Sequence, residues 1–558
     1  MKTIKTGILV IGSGAAGLSA SVYAAQYTHE NILVIDKGAV GKSGSTVGAV
    51  QIASLGSWSH QDDHEEAFLQ DIEKSGRGLS DPSLTKSIAD DIRQRLKEIT
   101  DWGLKLDKNE EQEVAVYETS GHSFSRSVSA RKGKAGLGIL QTLIRKANAM
   151  NHIDMWSDVI TLQLVKSAGR IIGAVVLDQR TNEPYLIQSQ AVILATGGIG
   201  QLYPITSNPV QSTGDGFSLS LQAGAQLIDM EQIQFYPVSM IAPQSIAGLC
   251  ISFYHFSKLY NRDGERFMKR YQPDYLENTT RDQLSIAIGK EVAAGRETDH
   301  GGVWLDASEV IENVKRQFPH EYDLCKDRGI DLSKQHAEVG PAAHFMMGGV
   351  KINSNASSSI PRLFIAGETS GGLHGANRLG NNALSECLVF GARAGIEAAR
   401  ILEEETPVDH QSFADYELGW AKRLLTYIHQ PHSSKSIKRR PYVIKEKIQS
   451  VLGNYVGVIR TKDGLCKAQQ DLKEIQEQLF ETRVANPDAY SRDILDFIEA
   501  SHMLQTSLAI VRSAQMRTES RGAHYHVDYP EQEIDTYHTC IQVENENMKL
   551  SKKPVKGV

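Results

Sequence analysis

The chain has 558 residues, a length that predicts two to four domains rather than one core. Charged residues make up 23% and hydrophobic residues 41% of the chain, and the net charge is −7, which is typical of a soluble globular protein and argues against a nucleic-acid-binding or anionic-membrane-binding surface. No apolar run approaches the roughly 18 residues of a membrane-spanning helix, and the N-terminus lacks the apolar core of a signal peptide, so we expect a cytoplasmic protein that reaches a membrane only through a partner.

The first elements form a strand–helix–strand unit. An apolar run at 4–11 predicts a buried strand, a run rich in small residues at 15–27 predicts a helix, and a second apolar run at 32–36 predicts another strand. This spacing is typical of a parallel, doubly wound sheet, so the fold class is α/β with a Rossmann-like domain.

Later segments differ in amino-acid composition and hydrophobic pattern, and these differences predict further domains. Apolar strands at 190–195 and 362–366 belong to the same sheet. Residues 231–343 are richer in aromatic and turn residues, with a helix at 281–294, and predict an inserted α+β domain. We therefore expect a first domain of residues 1–230 plus 344–400, an inserted second domain at 231–343, a helical domain at 410–530, and a solvated tail at 531–558.

A glycine-rich turn joins the first strand to the first helix. Its residues are Gly12, Ser13, Gly14, Ala15, Ala16 and Gly17. The glycines allow a tight turn, close approach of a pyrophosphate, and close packing of helix on strand, while the helix N-terminus attracts phosphate. Asp36, at the end of the second strand, is placed to accept hydrogen bonds from a ribose hydroxyl. The turn alone does not separate NAD from FAD.

Motifs further along the chain resemble those of the fumarate reductase and succinate dehydrogenase flavoprotein family. They occur in the family's order at 195–198, 213–216, 264–268, 344–349, 367–368, 374–384 and 519–524. The resemblance implies FAD as the cofactor, no metal site in this chain, and capping and helical domains at the places predicted above. Beyond the glycine-rich turn and Asp36, it implies FAD contacts from Lys37, Ser43, Thr46, Thr196, Gly197, Asp215, Glu368, Arg378, Ala383 and Leu384.

The resemblance also implies a reaction site for a C=C or CH–CH bond next to a carboxylate. Arg378 matches the arginine that clamps the substrate carboxylate, since a planar guanidinium can hold it with two hydrogen bonds. His344 matches a carboxylate-binding histidine. Arg281 matches the family's proton donor, a role that requires a proton relay because guanidinium is a very weak acid.

Two departures from the family's pattern concern the far end of the substrate site. Tyr236, in Gln-Phe-Tyr-Pro-Val, replaces the histidine that helps to bind a second carboxylate. Residues 249–256 (Leu-Cys-Ile-Ser-Phe-Tyr-His-Phe) replace a segment that begins Thr-Glu in the family. We therefore expect an unsaturated acid, or its saturated partner, whose far end is aromatic, heterocyclic or amide-like, with Tyr236 in the pocket.

A third departure concerns flavin attachment. Ser45 stands where membrane-bound relatives carry the histidine that is linked covalently to FAD, so we expect non-covalent FAD. The five cysteines, Cys250, Cys325, Cys387, Cys466 and Cys540, form no Cys-x-x-Cys pair. An iron–sulfur or zinc site within the chain is therefore not expected, and electrons should come from a separate carrier.

Three alternatives remain open from the sequence. The segment 121–123 (Gly-His-Ser) and the Asp-Tyr-Pro at 528–530 resemble L-aspartate oxidase. The chain is alternatively the flavoprotein subunit of an electron-transfer complex with an iron–sulfur partner, for which the basic stretch 435–440 is a candidate docking face. A non-catalytic flavin-binding role is the third, and the presence of Arg281, His344 and Arg378 counts against it.

Overall fold

A computed structural model of the chain describes residues 1–404, 418–429, 439–482, 484, 489–544 and 547–555. Its strands are β1 Lys2–Ile11, β2 Ile32–Ile35, β3 Ile52–Ala53, β4 Val116–Tyr117, β5 Ser127–Val128, β6 Ile153–Trp156, β7 Val159–Ser167, β8 Arg170–Asp178, β9 Glu183–Leu194, β10 Leu227–Ile228, β11 Ile233–Met240, β12 Lys258–Tyr260, β13 Val303–Asp306, β14 Ala337–Met346, β15 Gly349–Lys351, β16 Leu363–Ile365, β17 Ser370–Gly371, β18 Ile459–Arg460, β19 Tyr525–His526, β20 Tyr537–Glu544 and β21 Asn547–Pro554. Its helices are α1 Ala15–Tyr27, α2 Glu65–Gly76, α3 Pro82–Asp101, α4 Ala135–Asn148, α5 Asp215–Gln222, α6 Met268–Tyr271, α7 Arg281–Ala293, α8 Ile311–Gln317, α9 Pro319–Asp327, α10 Asn382–Glu404, α11 Gly419–His429, α12 Pro441–Tyr455, α13 Lys462–Leu479 and α14 Arg492–Met516.

The largest sheet has the strand order β6-β2-β1-β9-β8-β7, with β16 beside the C-terminal part of β9. Strands β6, β2, β1, β9 and β16 are parallel, as the strand–helix–strand spacing predicts. Because their carboxyl ends lie at one edge, the turns that follow β1, β2, β9 and β16 meet there. This edge gathers motifs that are widely separated in the sequence.

Two strands of this sheet, which the strand–helix–strand spacing does not predict, are antiparallel. β7 and β8 form an antiparallel hairpin, and β8 pairs antiparallel with β9. Residues 168–169 (Ala-Gly) both have positive φ and make the tight turn that an antiparallel pair allows. The sheet is therefore mixed. The strands whose carboxyl ends lead into the motifs are parallel, and β7 and β8 form the antiparallel part.

A second sheet, with the order β11-β14-β13-β12, lies within residues 233–346 and has its own hydrophobic core. Helix α7 packs against β11 and β14. Strand β11 is buried along its whole length, and it carries Tyr236. This sheet and α7 therefore bring a second set of side chains to the edge of the first sheet.

Helices α12, α13 and α14 pack against one another, and α14 contacts α5. Residues 435–438 of the basic stretch lie outside the described residues. The expectation of a solvated tail at 531–558 is wrong for its larger part, because β20 and β21 form an antiparallel hairpin and β20 pairs with β10. Among the described residues, no helix is long and apolar enough to cross a membrane.

Candidate active site

A cavity of about 2310 Å³ runs from the glycine-rich turn to the second sheet. All the predicted site residues except Gly17 line it. They are Gly12, Ser13, Gly14, Ala15, Ala16, Asp36, Lys37, Ser43, Thr46, Thr196, Gly197, Asp215, Tyr236, Arg281, His344, Glu368, Arg378, Ala383 and Leu384. The structure therefore brings together, around one cavity, residues that are up to nearly 400 positions apart in the sequence.

The glycine-rich turn is tight enough to require glycine at two positions. Gly12 has a φ of +106°, and a Cβ atom there would lie 2.2 Å from the carbonyl oxygen of Ala195. A Cβ atom on Gly17 would lie 1.9 Å from the carbonyl oxygen of Gly12. Gly17 therefore packs the helix onto the turn instead of facing the cavity.

Asp36 is held by four donors beside this turn. Its Oδ2 accepts hydrogen bonds from Ser13 N (2.9 Å) and Ser13 Oγ (2.6 Å), and its Oδ1 accepts from Gly38 N (2.8 Å) and Ser43 Oγ (3.0 Å). The carboxylate is fixed in place and still lines the cavity. These four donors use the roughly four lone-pair sites of the carboxylate, so a ribose hydroxyl would have to displace or share one of these bonds.

Lys37 links the cavity to the C-terminal helices. Its Nζ lies 2.8 Å from Asp215 Oδ2 and 3.0 Å from Glu499 Oε1 on α14, and it also bonds to Thr213. The two carboxylates raise the pKa of Lys37 against the opposing effect of burial. Lys37 and Asp215 therefore form an ion pair in the cavity wall, and this pairing was not apparent from the sequence.

These features fit FAD. The turn lets a phosphate approach the backbone, and helix α1 begins after Gly14, which has no side chain to cap it; Ala15 N donates to Thr46 Oγ1 at 3.1 Å. The cavity continues from this point past Thr196 and Glu368 to Arg378, so a dinucleotide held at the turn has room to extend towards the arginine.

Arg378 is 5% exposed and lies where the cavity meets the second sheet. Its Nη2 donates to Gln234 Oε1 at 2.8 Å, and Gln234 Nε2 donates to the carbonyl oxygen of Arg378 at 3.0 Å. Its Nε has no partner among the described residues. Burial, with a contribution from Arg281, lowers the pKa of Arg378 to about 9. This guanidinium is fixed and retains a free donor.

Arg281 is the first residue of α7, where a cation is disfavoured by the helix dipole. Its Nη1 is buried without a partner, and its guanidinium lies 4.9 Å above the ring of Tyr236. Asp282 does not neutralise it, because that carboxylate faces Arg77 at 3.4 Å. Among the described residues, neither Arg281 nor Arg378 forms an ion pair with a carboxylate.

His344, on β14, packs beside Tyr236, with the two ring centroids 5.3 Å apart. Its Nδ1 lies 2.7 Å from Ser207 Oγ. Burial, followed by the positive charges of Arg281 and Arg378, lowers the pKa of His344 well below its usual value. We call the region of Arg281, His344 and Arg378 the cationic end; it is able to bind an anion with free N–H groups.

The wall next to Arg281 is aromatic, because the guanidinium of Arg281 lies over the ring of Tyr236. Tyr236 packs edge-to-face with Tyr254 at 6.0 Å between ring centroids. Burial raises the pKa of Tyr254 to about 12 and lowers the pKa of His255 to about 4. Burial also raises the pKa of Glu321, whose Oε2 accepts from Ser252 N at 2.8 Å. We call the region of Tyr236, Tyr254, His255 and Glu321 the aromatic end.

Two parts of the wall were missed in the sequence analysis. Residues of α8 and α9 line the aromatic end, and no local motif marks them. His122 also lines the cavity; its Nε2 donates to the carbonyl oxygen of Gly380 at 2.8 Å, and Arg126 Nη1 lies 3.2 Å from its Nδ1. Arg126 is fully buried and pairs with Asp63 and Asp71, both at 2.7 Å.

Comparison with known proteins agrees with this geometry. The profile of a family described as FAD binding domain matches residues 7–384, and one described as fumarate reductase flavoprotein C-term matches residues 445–557. The chain belongs to the fumarate reductase and succinate dehydrogenase flavoprotein family. The family assignment that the motifs predicted is confirmed, and this flavoprotein is an FAD-dependent oxidoreductase.

Its relatives cover nearly the whole chain. An uncharacterized FAD-dependent oxidoreductase of Methanocaldococcus jannaschii is 35% identical over 95% of this chain and 94% of its own. One subunit of the CoM/CoB fumarate reductase of Methanothermobacter marburgensis is 33% identical over 94% of each chain. An L-aspartate oxidase of Pseudomonas aeruginosa is 30% identical over 94% of this chain and 95% of its own.

The fold agrees with a solved structure as well. A quinol fumarate reductase of Escherichia coli superposes with a TM-score of 0.92 at 26% identity, and the match covers 100% of this chain and 98% of the other.

Proposed function

We propose that this flavoprotein transfers hydride between flavin and a C=C or CH–CH bond next to a carboxylate, in an acid whose far end is not a carboxylate. The observation that carries the proposal is the contrast between the free N–H groups of Arg281 and Arg378 at the cationic end and the aromatic rings of the adjoining aromatic end. The proposal assigns FAD binding to residues 1–230 and 344–400 and the capping role to residues 231–343.

Bound FAD supplies the hydride through its N5 atom. The FAD-holding residues in this proposal are the glycine-rich turn, Asp36, Lys37, Ser43, Thr46, Thr196, Gly197, Asp215, Glu368, Arg378, Ala383 and Leu384. Ser45 also lines the cavity, and a serine there forms no histidyl bond, which supports non-covalent attachment. Precipitating the protein with acid should release all of the flavin into the supernatant; flavin that stays with the pellet would contradict non-covalent attachment.

At the cationic end, Arg378 binds the substrate carboxylate through its free Nε–H and its terminal N–H groups, and His344 adds a second donor. Drawing charge towards the carboxylate polarises the adjacent C=C bond. In the reducing direction one carbon of that bond accepts the hydride, and the other accepts a proton from Arg281. Restoring that proton requires a relay from solvent, and the buried Nη1 of Arg281, without a partner, is free to take part.

At the aromatic end, Tyr236, Tyr254 and the neutral His255 offer ring faces and few charges. A second carboxylate would lose its hydration there and would have to share Arg281, which lies over the Tyr236 ring, with the first carboxylate; incomplete pairing of this kind costs several kcal/mol in a buried site. An aromatic, heterocyclic or amide group would instead gain packing and hydrogen bonds from these side chains.

The test is an anaerobic reoxidation. The FAD-loaded protein is reduced with stoichiometric dithionite, mixed with fumarate or with cinnamate, and followed by flavin absorbance. We expect cinnamate, an unsaturated acid with an aromatic far end, to restore the oxidised spectrum faster than fumarate. Rapid reoxidation by fumarate with none by cinnamate would contradict the substrate assignment.

A second candidate activity is that of an L-aspartate oxidase. The segment at 121–123 that resembles those enzymes lies at the cavity, where His122 bonds to Gly380 of the 374–384 motif. Adding L-aspartate in air and measuring hydrogen peroxide decides between the two, because only the oxidase reading predicts peroxide.

We also infer that electrons reach the flavin from a separate carrier, either a small redox protein or an iron–sulfur subunit that could hold the chain at a membrane. The support is the absence of any Cys-x-x-Cys pair from the sequence. Affinity purification of the tagged protein from its own cells, followed by iron analysis, tests for such an iron–sulfur partner.

A further inference from the structure

Three consecutive side chains hold the strand that carries His344. Thr206 Oγ1 donates to the carbonyl oxygen of Ala343 at 2.8 Å, and Asn208 Nδ2 donates to the carbonyl oxygen of His344 at 2.8 Å. Between them, Ser207 bonds through its side chain to the imidazole itself. The segment 206–208 therefore fixes both the backbone and the ring of His344.

The hydroxyl proton of Ser207 has one good acceptor, since the neighbouring Cys250 thiol sulfur accepts hydrogen bonds only weakly. His344 Nδ1 lies 2.7 Å from Ser207 Oγ, whereas the carbonyl oxygen of Ala343 lies 3.5 Å away. That carbonyl oxygen already accepts from Thr206 Oγ1 at 2.8 Å and from Ser207 N at 3.1 Å, which uses both of its lone pairs. Asn208 Nδ2, at 3.5 Å, can only donate to Ser207 Oγ. The hydroxyl therefore donates to Nδ1.

A neutral imidazole carries a single ring proton, and the atom that bears it depends on the hydrogen bond at the other nitrogen. His344 is neutral because burial and the two arginines lower its pKa. When Nδ1 accepts from Ser207, the proton resides on Nε2. Among the described residues, no hydrogen-bond partner of Nε2 is found, and the ring lines the cavity.

We propose that Ser207 is a positioning residue that sets the tautomer of His344, so that an Nε2–H group and not a lone pair faces the substrate carboxylate. The inference rests on the proposed function, in which His344 binds that carboxylate. With the opposite tautomer, the Nε2 lone pair would repel the anion, and the cationic end would lose one of its donors.

The test compares variants of the FAD-loaded protein. Ser207→Ala removes the donor, Ser207→Thr retains a hydroxyl, and Thr206→Val removes a neighbouring bond to the backbone without touching the imidazole. The tautomer is read by NMR of protein labelled with ¹⁵N-histidine, in which the signal missing from His344→Ala identifies His344. Binding of fumarate and of cinnamate is titrated by the change in absorbance of oxidised flavin.

We expect wild type, Ser207→Thr and Thr206→Val to show the Nε2–H tautomer. Ser207→Ala should shift His344 towards Nδ1–H and weaken binding of the tighter acid about tenfold, the effect of one hydrogen bond to a charged group. If Ser207 had a purely structural role, Ser207→Ala and Thr206→Val would instead bind the acid equally weakly, and the tautomer of His344 would be unchanged.

Two outcomes overturn the inference in different ways. If Ser207→Ala keeps the Nε2–H tautomer and wild-type affinity while His344→Ala binds weakly, the serine has no such role and the proposed function stands. If His344→Ala binds both acids as tightly as wild type, the assignment of His344 in the proposed function fails, and the inference fails with it.

Discussion

At the cationic end, Arg378 is held by Gln234 and lies near the neutral ring of His344, whereas at the aromatic end Tyr236 and Tyr254 present ring edges and faces. In the proposed function, the buried polar groups of the first region hold one anionic group, and its unpaired N–H groups are available to bind it. The second has few charges and derives its shape from packing. Under the proposed function, this difference separates the residues that bind the carboxylate from the residues that select the rest of the substrate.

The largest effect should come from Arg378→Lys, which keeps a positive charge but removes the planar fork. We expect the rate constant for reoxidation of reduced flavin by an unsaturated acid to fall about 1000-fold, as when a transition-state donor is lost. Stopped-flow absorbance measures it. Arg393→Lys, whose partner Asp91 lies away from the cavity, is the matched control and should retain the wild-type rate. If Arg378→Lys lowers this rate constant less than tenfold, the cationic end does not take part in the reaction as proposed.

A second test concerns Glu368, beside Arg378. Burial raises the pKa of this carboxyl to about 7. Because the folded state holds the proton more tightly than the unfolded state, the contribution of Glu368 to stability is fully present at pH 4 and is lost as the pH rises to 7. Glu368→Gln should therefore gain about 1–3 kcal/mol in unfolding free energy relative to wild type between these pH values.

Denaturant unfolding at several pH values between 4 and 8 measures this shift. Glu110→Gln, at an exposed turn position, is the matched control for the substitution. A constant difference between Glu368→Gln and wild type would mean that Glu368 is ionised in the folded protein and partly neutralises the cationic end.

Tyr236→His restores the histidine of the family's pattern and so tests the aromatic end. We expect the ratio of the reoxidation rates with fumarate and cinnamate to move towards fumarate by about tenfold, the effect of one added hydrogen bond to a carboxylate. Tyr236→Phe keeps the ring and should leave the ratio near wild type. If both variants change the ratio equally, packing and not hydrogen bonding sets the preference.

The smallest expected effect belongs to Glu321. Its raised pKa keeps the carboxyl neutral at low pH, and an ionised carboxylate at higher pH repels an anionic substrate. The KM of wild type should therefore rise about threefold as the pH increases, whereas that of Glu321→Gln should stay flat. Glu312→Gln, on exposed α8, is the control. A flat KM in wild type would show that Glu321 does not face the substrate.

Much of the fold was predictable because its signals are local. The helix after the glycine-rich turn is α1, Ala15–Tyr27, and the apolar runs around it are strands. The hairpin of β20 and β21 was missed because β21 is mostly exposed, so its alternation carries little hydrophobic signal. The mixed sheet was missed because β7 and β8 are as apolar as parallel strands are.

The candidate site was also only partly predictable from the sequence, again because only local signals can be recognised there. Residues in continuous motifs, such as Arg378 and Glu368, were found from the sequence and line the cavity. Glu321 and Ser207 were missed because their roles depend on contacts with residues 69 and 137 positions away in the sequence. No periodicity or spacing records such a contact, which arises only when separate elements fold together.

The pairing of β20 with β10 also sets an order of events during protein synthesis. Leu227 and Ile228 pair with Ile541 and Cys540, and nearby Glu231 accepts a hydrogen bond from Thr539 Oγ1 at 2.7 Å. The segment that leads into β11, and hence to Gln234 and Tyr236, acquires these bonds only when residues 539–541 have left the ribosome. This wall of the cavity is therefore braced only after more than 300 further residues have been synthesised.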